Sequence, residues 1–265
     1  MTGTMGPVNT GARLRVVLFS LGTVLLLVSL LALAILRVGG AGAPGAAYEQ
    51  SLQPAPSAAA QPAPRGDGQD VSRSATRSSL DQAWLTRTAT AAGIPAPALR
   101  AYADAELAVR ATQPRCHLSW NTLAGIGWVE SQHGTVGGRT LLPDGRPSTP
   151  ILGPALDGAG GFAAIHSTPA SAAWHGDDVW EHAVGPLQFL SSTWERWSAD
   201  GDADGVADPR DLDDAALAAG HYLCADGHDL ATDTGWNAAV HSYNHDAGYV
   251  AQVAAAANTY VERTR

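Results

Sequence analysis

The chain has 265 residues, and its 16 basic residues, all arginine, are outnumbered by 25 acidic ones, for a formal net charge of −9. From residue 80 onward the imbalance steepens to 22 Asp/Glu against 10 Arg. A surface of that sign repels phosphate backbones and anionic headgroups, which excludes nucleic acid as a partner.

In chain order, Val16–Leu36 is an unbroken run of apolar or small residues. At about 1.5 Å of rise per residue it is long enough to cross the hydrocarbon core. Arg13 and Arg15 precede it, so the positive-inside rule puts residues 1–38 down as a cytoplasmic tip and transmembrane anchor, with the bulk of the chain outside. A cleaved signal peptide is the competing reading, with Gly45-Ala46-Ala47 as its cleavage site. Both readings export the chain. Residues 39–78 are rich in Gly, Ala, Pro, Ser and Gln, too poor in large apolar groups to offset ordering entropy, and read as a disordered tether.

Residues 79–265 are the size of one domain, and their fold class reads as mainly α. Helices are predicted over Leu80–Ala92, stopped by Gly93-Ile94-Pro95, and over Pro97–Ala111. A third is capped by Ser119 and runs to about Gly134, with Leu123, Ile126 and Glu130 on one face. Gly137–Ala173 lacks helical period and reads as a long irregular insert with room for a short hairpin. Shorter helices follow over Ser192–Ser198, Asp213–Cys224, Trp236–Tyr243 and Ala247–Arg263. The two cysteines, Cys116 and Cys224, are an even pair in an exported chain and predict one disulfide, closing a loop of about 108 residues; two buried thiols are the alternative.

Asp200, Asp202 and Asp204 stand at positions 1, 3 and 5 of an EF-hand-like loop, with Gly205 at 6, the Val206 carbonyl at 7, Asp208 at 9 and Asp211 at 12. Hard carboxylate oxygens at this spacing suit a structural Ca²⁺. Position 12 carries Asp where the longer Glu is usual, and Asp214 is the alternative closing ligand. No paired His flanks a helical Glu and no Cys cluster forms a zinc site, so hydrolytic zinc chemistry is unsupported. His133 reads as structural.

Four segments in order carry a resemblance: Trp128–Gly134 (WVESQHG), Ala183–Phe189 (AVGPLQF), Asp200–Pro209 (DGDADGVADP) and Ser242–Val250 (SYNHDAGYV). Over about Asp81–Tyr260 the chain resembles lytic transglycosylases of the membrane-bound B type, in particular their actinobacterial exported relatives, which have a lysozyme-like fold. The resemblance implies Glu130 as the acid and then base that cleaves the N-acetylmuramic acid–N-acetylglucosamine bond of peptidoglycan to a 1,6-anhydro product. It implies substrate-binding roles for Gln188, presented by Gly185, for Tyr243 and Asn244, and for Ser131. It also implies the Asp-Ala closure of the acidic loop at Asp214, and no cofactor for the chemistry itself. Trp180-Glu181-His182 departs from the Asp-Arg expected before the Gln segment. The rival readings are a water-using muramidase, with Asp177, Asp178 or Glu181 as second carboxylate or with a held water in its place, a wall-binding scaffold without activity, and a Ca²⁺-dependent docking module.

Overall fold

A computed structural model describes residues 53, 55–56, 62–66, 80–161 and 163–265. The apolar run 16–36, the positions 45–47 and most of the segment 39–78 lie outside the described residues. Among the described residues no helix is long and apolar enough to cross a membrane.

The domain is mainly α, with eight α-helices and no extended strand among the described residues. Helix α1 spans Gln82–Ala92, with its first turn capped by the Asp81 carboxylate, which accepts from the Trp84 N–H, and its end set by Gly93 in the left-handed region. Pro95 precedes α2, Ala96–Thr112, and α3 is Trp120–Ser131. Then come α4 (Pro169–His175), α5 (Ser191–Trp197), α6 (Leu212–Leu223), α7 (Asp233–Tyr243) and α8 (Ala247–Arg263).

Helix α3 is the centre of the fold. It packs on α8 along one side and on α2 along another, while α2 packs on α6. Residues 120–127 are buried without exception, so the single apolar face expected from Leu123, Ile126 and Glu130 is replaced by burial all round. Two glycines permit this. A Cβ on Gly125 would lie 2.7 Å from the Val253 carbonyl of α8, and one on Gly127 would lie 2.0 Å from the Tyr102 hydroxyl of α2. Ser119 is the N-cap residue as expected, but its hydroxyl goes to the Asn121 side chain and caps no backbone N–H. The helix start is served instead by Glu106, whose Oε2 accepts from the Trp120 N–H at 3.0 Å and whose Oε1 accepts from Arg110 at 3.2 Å.

The insert is irregular, as expected, and its backbone forms isolated antiparallel bridges, Leu141↔Pro147, Asp157↔Ala164 and His166↔Trp180. Arg139 gathers it by donating to the carbonyls of Val136, Thr149 and Pro150 at 2.7–3.2 Å. One correction applies. The predicted loop ends in a helix, because Thr168 and Ser171 form a reciprocal capping box, Pro169 opens α4 and Gly176 closes it. Upstream of α1, Gln53 exchanges hydrogen bonds with the Asn237 amide of α7, Ala63 is buried, and Asp81 donates to the Pro64 carbonyl at 3.0 Å.

Cys116 and Cys224 form a disulfide across 108 residues, joining the segment before α3 to the end of α6. The expected outcome of replacing both cysteines with serine is a loss of about 2–4 kcal/mol of stability, read as the urea midpoint with and without reductant. The wild-type midpoint should fall to the variant's on reduction.

Candidate functional site

Glu130 lies in the last turn of α3, where the all-round burial ends. The cleft there, about 500 Å³, is lined by the end of α3 and by α8. Asp246 caps α8 by accepting from the Tyr249 N–H at 2.7 Å, which fixes the first turn so that the Tyr249 hydroxyl donates to Glu130 Oε1 at 2.6 Å. Burial raises the Glu130 pKa to about 7, against the opposing pull of the Tyr249 bond. Near neutral pH this carboxyl is therefore divided between acid and base forms. It is also the one carboxyl among the residues lining the cleft.

The other expected site residues are arranged around a second feature, the turn 184–189. Val184 and Phe189 close it with a reciprocal backbone pair at 2.9 and 3.0 Å. Gly185 sits at φ 79°, and a Cβ there would come within 1.9 Å of the Pro209 carbonyl, so only glycine fits. Ser131 fastens the end of α3 to this turn. Its buried hydroxyl donates to the Pro186 carbonyl at 2.6 Å and accepts from the Gly134 N–H at 2.8 Å. Tyr243 performs a parallel task from α7, donating to the Leu187 carbonyl at 2.8 Å. Burial first, and then the Glu130 charge, push the Tyr243 hydroxyl well above its usual range, which places it in the electrostatic reach of that carboxyl.

Gln188 turns back on its own loop. Its Nε2 donates to the Gly185 carbonyl at 2.9 Å and its Oε1 rests where a Cβ on Gly153 would be 2.7 Å away. It does not line the Glu130 cleft. Asn244 ends α7 as its exposed C-cap residue, with its N–H donating to Val240 at 3.3 Å. Glu130, Ser131, Tyr243 and the 184–189 turn are thus joined, whereas the Gln188 side chain bonds its own turn and Asn244 does not line the cleft.

Tyr249 is the partner of Glu130 that the sequence did not single out. Its signal was its place three residues after Asp246, an N-cap position, but only the packing of α8 on α3 brings it to Glu130. His133 is structural, as expected. It is buried between the Tyr102 hydroxyl at 3.1 Å and the Tyr260 hydroxyl at 2.8 Å, and burial lowers its pKa to about 3, so it stays neutral.

The carboxylates proposed as second catalytic groups lie elsewhere. Glu181 is buried and accepts from the Ser191 N–H at the start of α5 at 3.4 Å. Asp177 accepts from Trp180 and Val179 backbone N–H groups and meets His182 at 3.1 Å, and its pKa is lowered to about 2. Asp178 is exposed. None lines the cleft.

In the acidic loop, carboxylate oxygens of Asp200, Asp202 and Asp214 converge within 4.8 Å of one another. Asp200 accepts from the Asp204 and Gly205 N–H groups at 3.1 and 2.9 Å, folding the loop about Gly205. Asp214 is buried and accepts from Gly201 and Asp208 N–H groups; burial first, and the nearby Asp202 and Asp200 charges, raise its pKa to about 6. The remaining expected ligands are placed differently. Asp204 accepts from the Val206 N–H at 2.7 Å, and the Val206 side chain is exposed. Asp208 is held by Arg146 at 2.6 Å and by Arg210 at 2.9 Å. Asp211 is the N-cap of α6 and faces Arg146 at 3.5 Å. Arginine and a helix start have taken the carboxylates at positions 9 and 12, so Asp214 rather than Asp211 closes the cluster.

Because the Tyr249 hydroxyl stabilises the charged form of Glu130, Tyr249→Phe should move the Glu130 titration above about 7. Carboxyl ¹³C titration by NMR measures this, and a midpoint that stays put or falls would contradict the assigned bond. No protein-family model, curated protein or solved structure matches this chain.

Proposed function

We propose that this chain is a peptidoglycan lytic transglycosylase with a lysozyme-like domain. The observation that carries the reading is a single carboxyl in the cleft, Glu130, whose pKa is raised to about 7 by burial while a neutral hydroxyl holds it in place. A carboxylic acid that is still protonated near neutral pH can deliver a proton to a leaving oxygen, and once ionised it can take one back. In the proposed cycle the Glu130 proton passes to the glycosidic oxygen as the C1–O bond breaks. The acetamido oxygen of the muramoyl residue then bonds to C1. The Glu130 carboxylate next removes the proton of the C6 hydroxyl, O6 displaces the acetamido oxygen from C1, and the 1,6-anhydro sugar forms with no water consumed. Tyr249 orients Glu130, and Ser131 and Tyr243 fasten the 184–189 turn to the ends of α3 and α7. A cleft without a second carboxylate favours this scheme over a muramidase that takes its nucleophile or base from one; a muramidase acting through a held water is told apart by the mass of its products.

The reading includes a structural Ca²⁺ held by Asp200, Asp202 and Asp214, three hard oxygen donors whose carboxylate oxygens converge within 4.8 Å of one another. The ion would brace the loop after the 184–189 turn and take no part in the chemistry. The domain works outside the cytoplasm, tethered by the apolar run 16–36 or released after its cleavage. The disulfide supports an oxidising compartment.

Digestion of purified sacculi by the wild type, followed by mass analysis, should yield muropeptides one water lighter than hydrolysis products. Glu130→Gln should lower turnover by about 10²-fold or more. Products that carry the extra water would favour a muramidase, and glycan binding without turnover in both proteins would favour a scaffold. Chelation of divalent cations should lower the thermal midpoint by several degrees, in line with about 2–3 kcal/mol from an ion at roughly 100 times its dissociation constant. Ca²⁺ should restore it in the wild type and not in Asp214→Ala.

A further inference from the structure

Trp128 is an anomaly in an otherwise buried helix. Residues 120–127 before it are packed away, yet Trp128 is 48 % exposed. It borders the Glu130 cleft, because that cleft wraps the end of α3 and takes in residues an ideal helix would turn to different sides. The indole is also braced. Its ring lies 5.8 Å from that of His133, and His133 is fixed by Tyr102 and Tyr260. The opposite wall is the surface of α8, where Ala255 and Ala256 leave a low floor between Gln252 and Thr259. Gln252 donates one amide proton to the Gly248 carbonyl at 3.3 Å and Thr259 donates its hydroxyl proton to Ala255 at 2.8 Å. The Gln252 carbonyl and the Thr259 oxygen lone pairs remain as acceptors.

A rigid aromatic face, a methyl floor and amide and hydroxyl groups at the edges form a surface for a ring that is apolar on its face and polar at its rim. We propose that Trp128 is a platform on which one pyranose ring of an N-acetylated glycan strand stacks by its C–H face, with Gln252 and Thr259 receiving its hydroxyl and amide groups. This rests on the transglycosylase reading and deepens it by naming the wall of the Glu130 cleft that holds the strand.

The probe is a peptide-free N-acetylglucosamine tetramer, titrated calorimetrically into the full chain carrying Glu130→Gln, so that binding is read without cleavage. Adding Trp128→Ala should weaken binding about tenfold, equivalent to about 1.4 kcal/mol. Trp128→Phe, which keeps a ring, should lose less than half of that in logarithmic terms, and Gln252→Ala should weaken binding by a smaller factor. Equal affinity of the Trp128→Ala protein and its parent, with the circular dichroism of both unchanged, overturns the platform and leaves the role of Glu130 standing. A parent that binds no tetramer overturns it too. Wild-type turnover of sacculi by Glu130→Gln overturns the reading beneath it.

Discussion

The arrangement depends on a constraint of contact: α3 must be approached closely on all sides, and yet carry a carboxyl at its end. Gly125 and Gly127 meet the first demand, since side chains there would collide with the Val253 carbonyl and the Tyr102 hydroxyl. The space left free beside Gly127 holds the buried chain Tyr102–His133–Tyr260, which ties α2, the end of α3 and α8 together. With α8 drawn in this far, Tyr249 reaches Glu130. The desolvation that alters Glu130 is thus a consequence of two missing side chains several residues away.

Electrostatic pairing then separates Glu130 from Asp213, Glu106 and Asp208. Asp213 has Arg100 at 2.7 Å, Glu106 has Arg110 and a helix N–H, and Asp208 has two arginines. Those charges are compensated by opposite charges, as buried ions require. The partner of Glu130 is a tyrosine hydroxyl, which holds the group without neutralising it, so the cost of burial stays in its proton affinity. A raised pKa does not identify the site alone. Asp211 is also raised to about 7, by burial and by Asp213 and Asp214, but it caps α6 outside the cleft. The coincidence of raised affinity, an orienting hydroxyl and an accessible cleft distinguishes Glu130.

The insert also contributes to the site through its backbone. Gly153 donates to the Ala183 carbonyl and Ile151 accepts from the Gly185 N–H, both at 2.9 Å or less. The irregular segment therefore forms a wall for the 184–189 turn, while Ser131 and Tyr243 hold the same turn from α3 and α7. Three parts of the chain, distant in sequence, set the position of one loop.

Much of this was determined by the sequence. Helix extents followed from short-range signals such as the stop at Gly93, and the disulfide from the cysteine count and the apolar run before it. Glu130 stood out on its apolar helix, and the acidic loop by its Asp spacing. Short-range signals of this kind act over a few residues and are written locally. Where the sequence misled, a local signal was overlooked: the Thr168–Ser171 capping box made a helix in a loop. Tertiary structure alone decided that α3 is buried all round, that the Gln188 amide folds onto its own turn, and that Tyr249 meets Glu130 across 119 residues. The reason is physical: desolvation and cross-chain pairing depend on which surfaces come within a few ångströms, and that distance is a property of the packed helices rather than of any one segment.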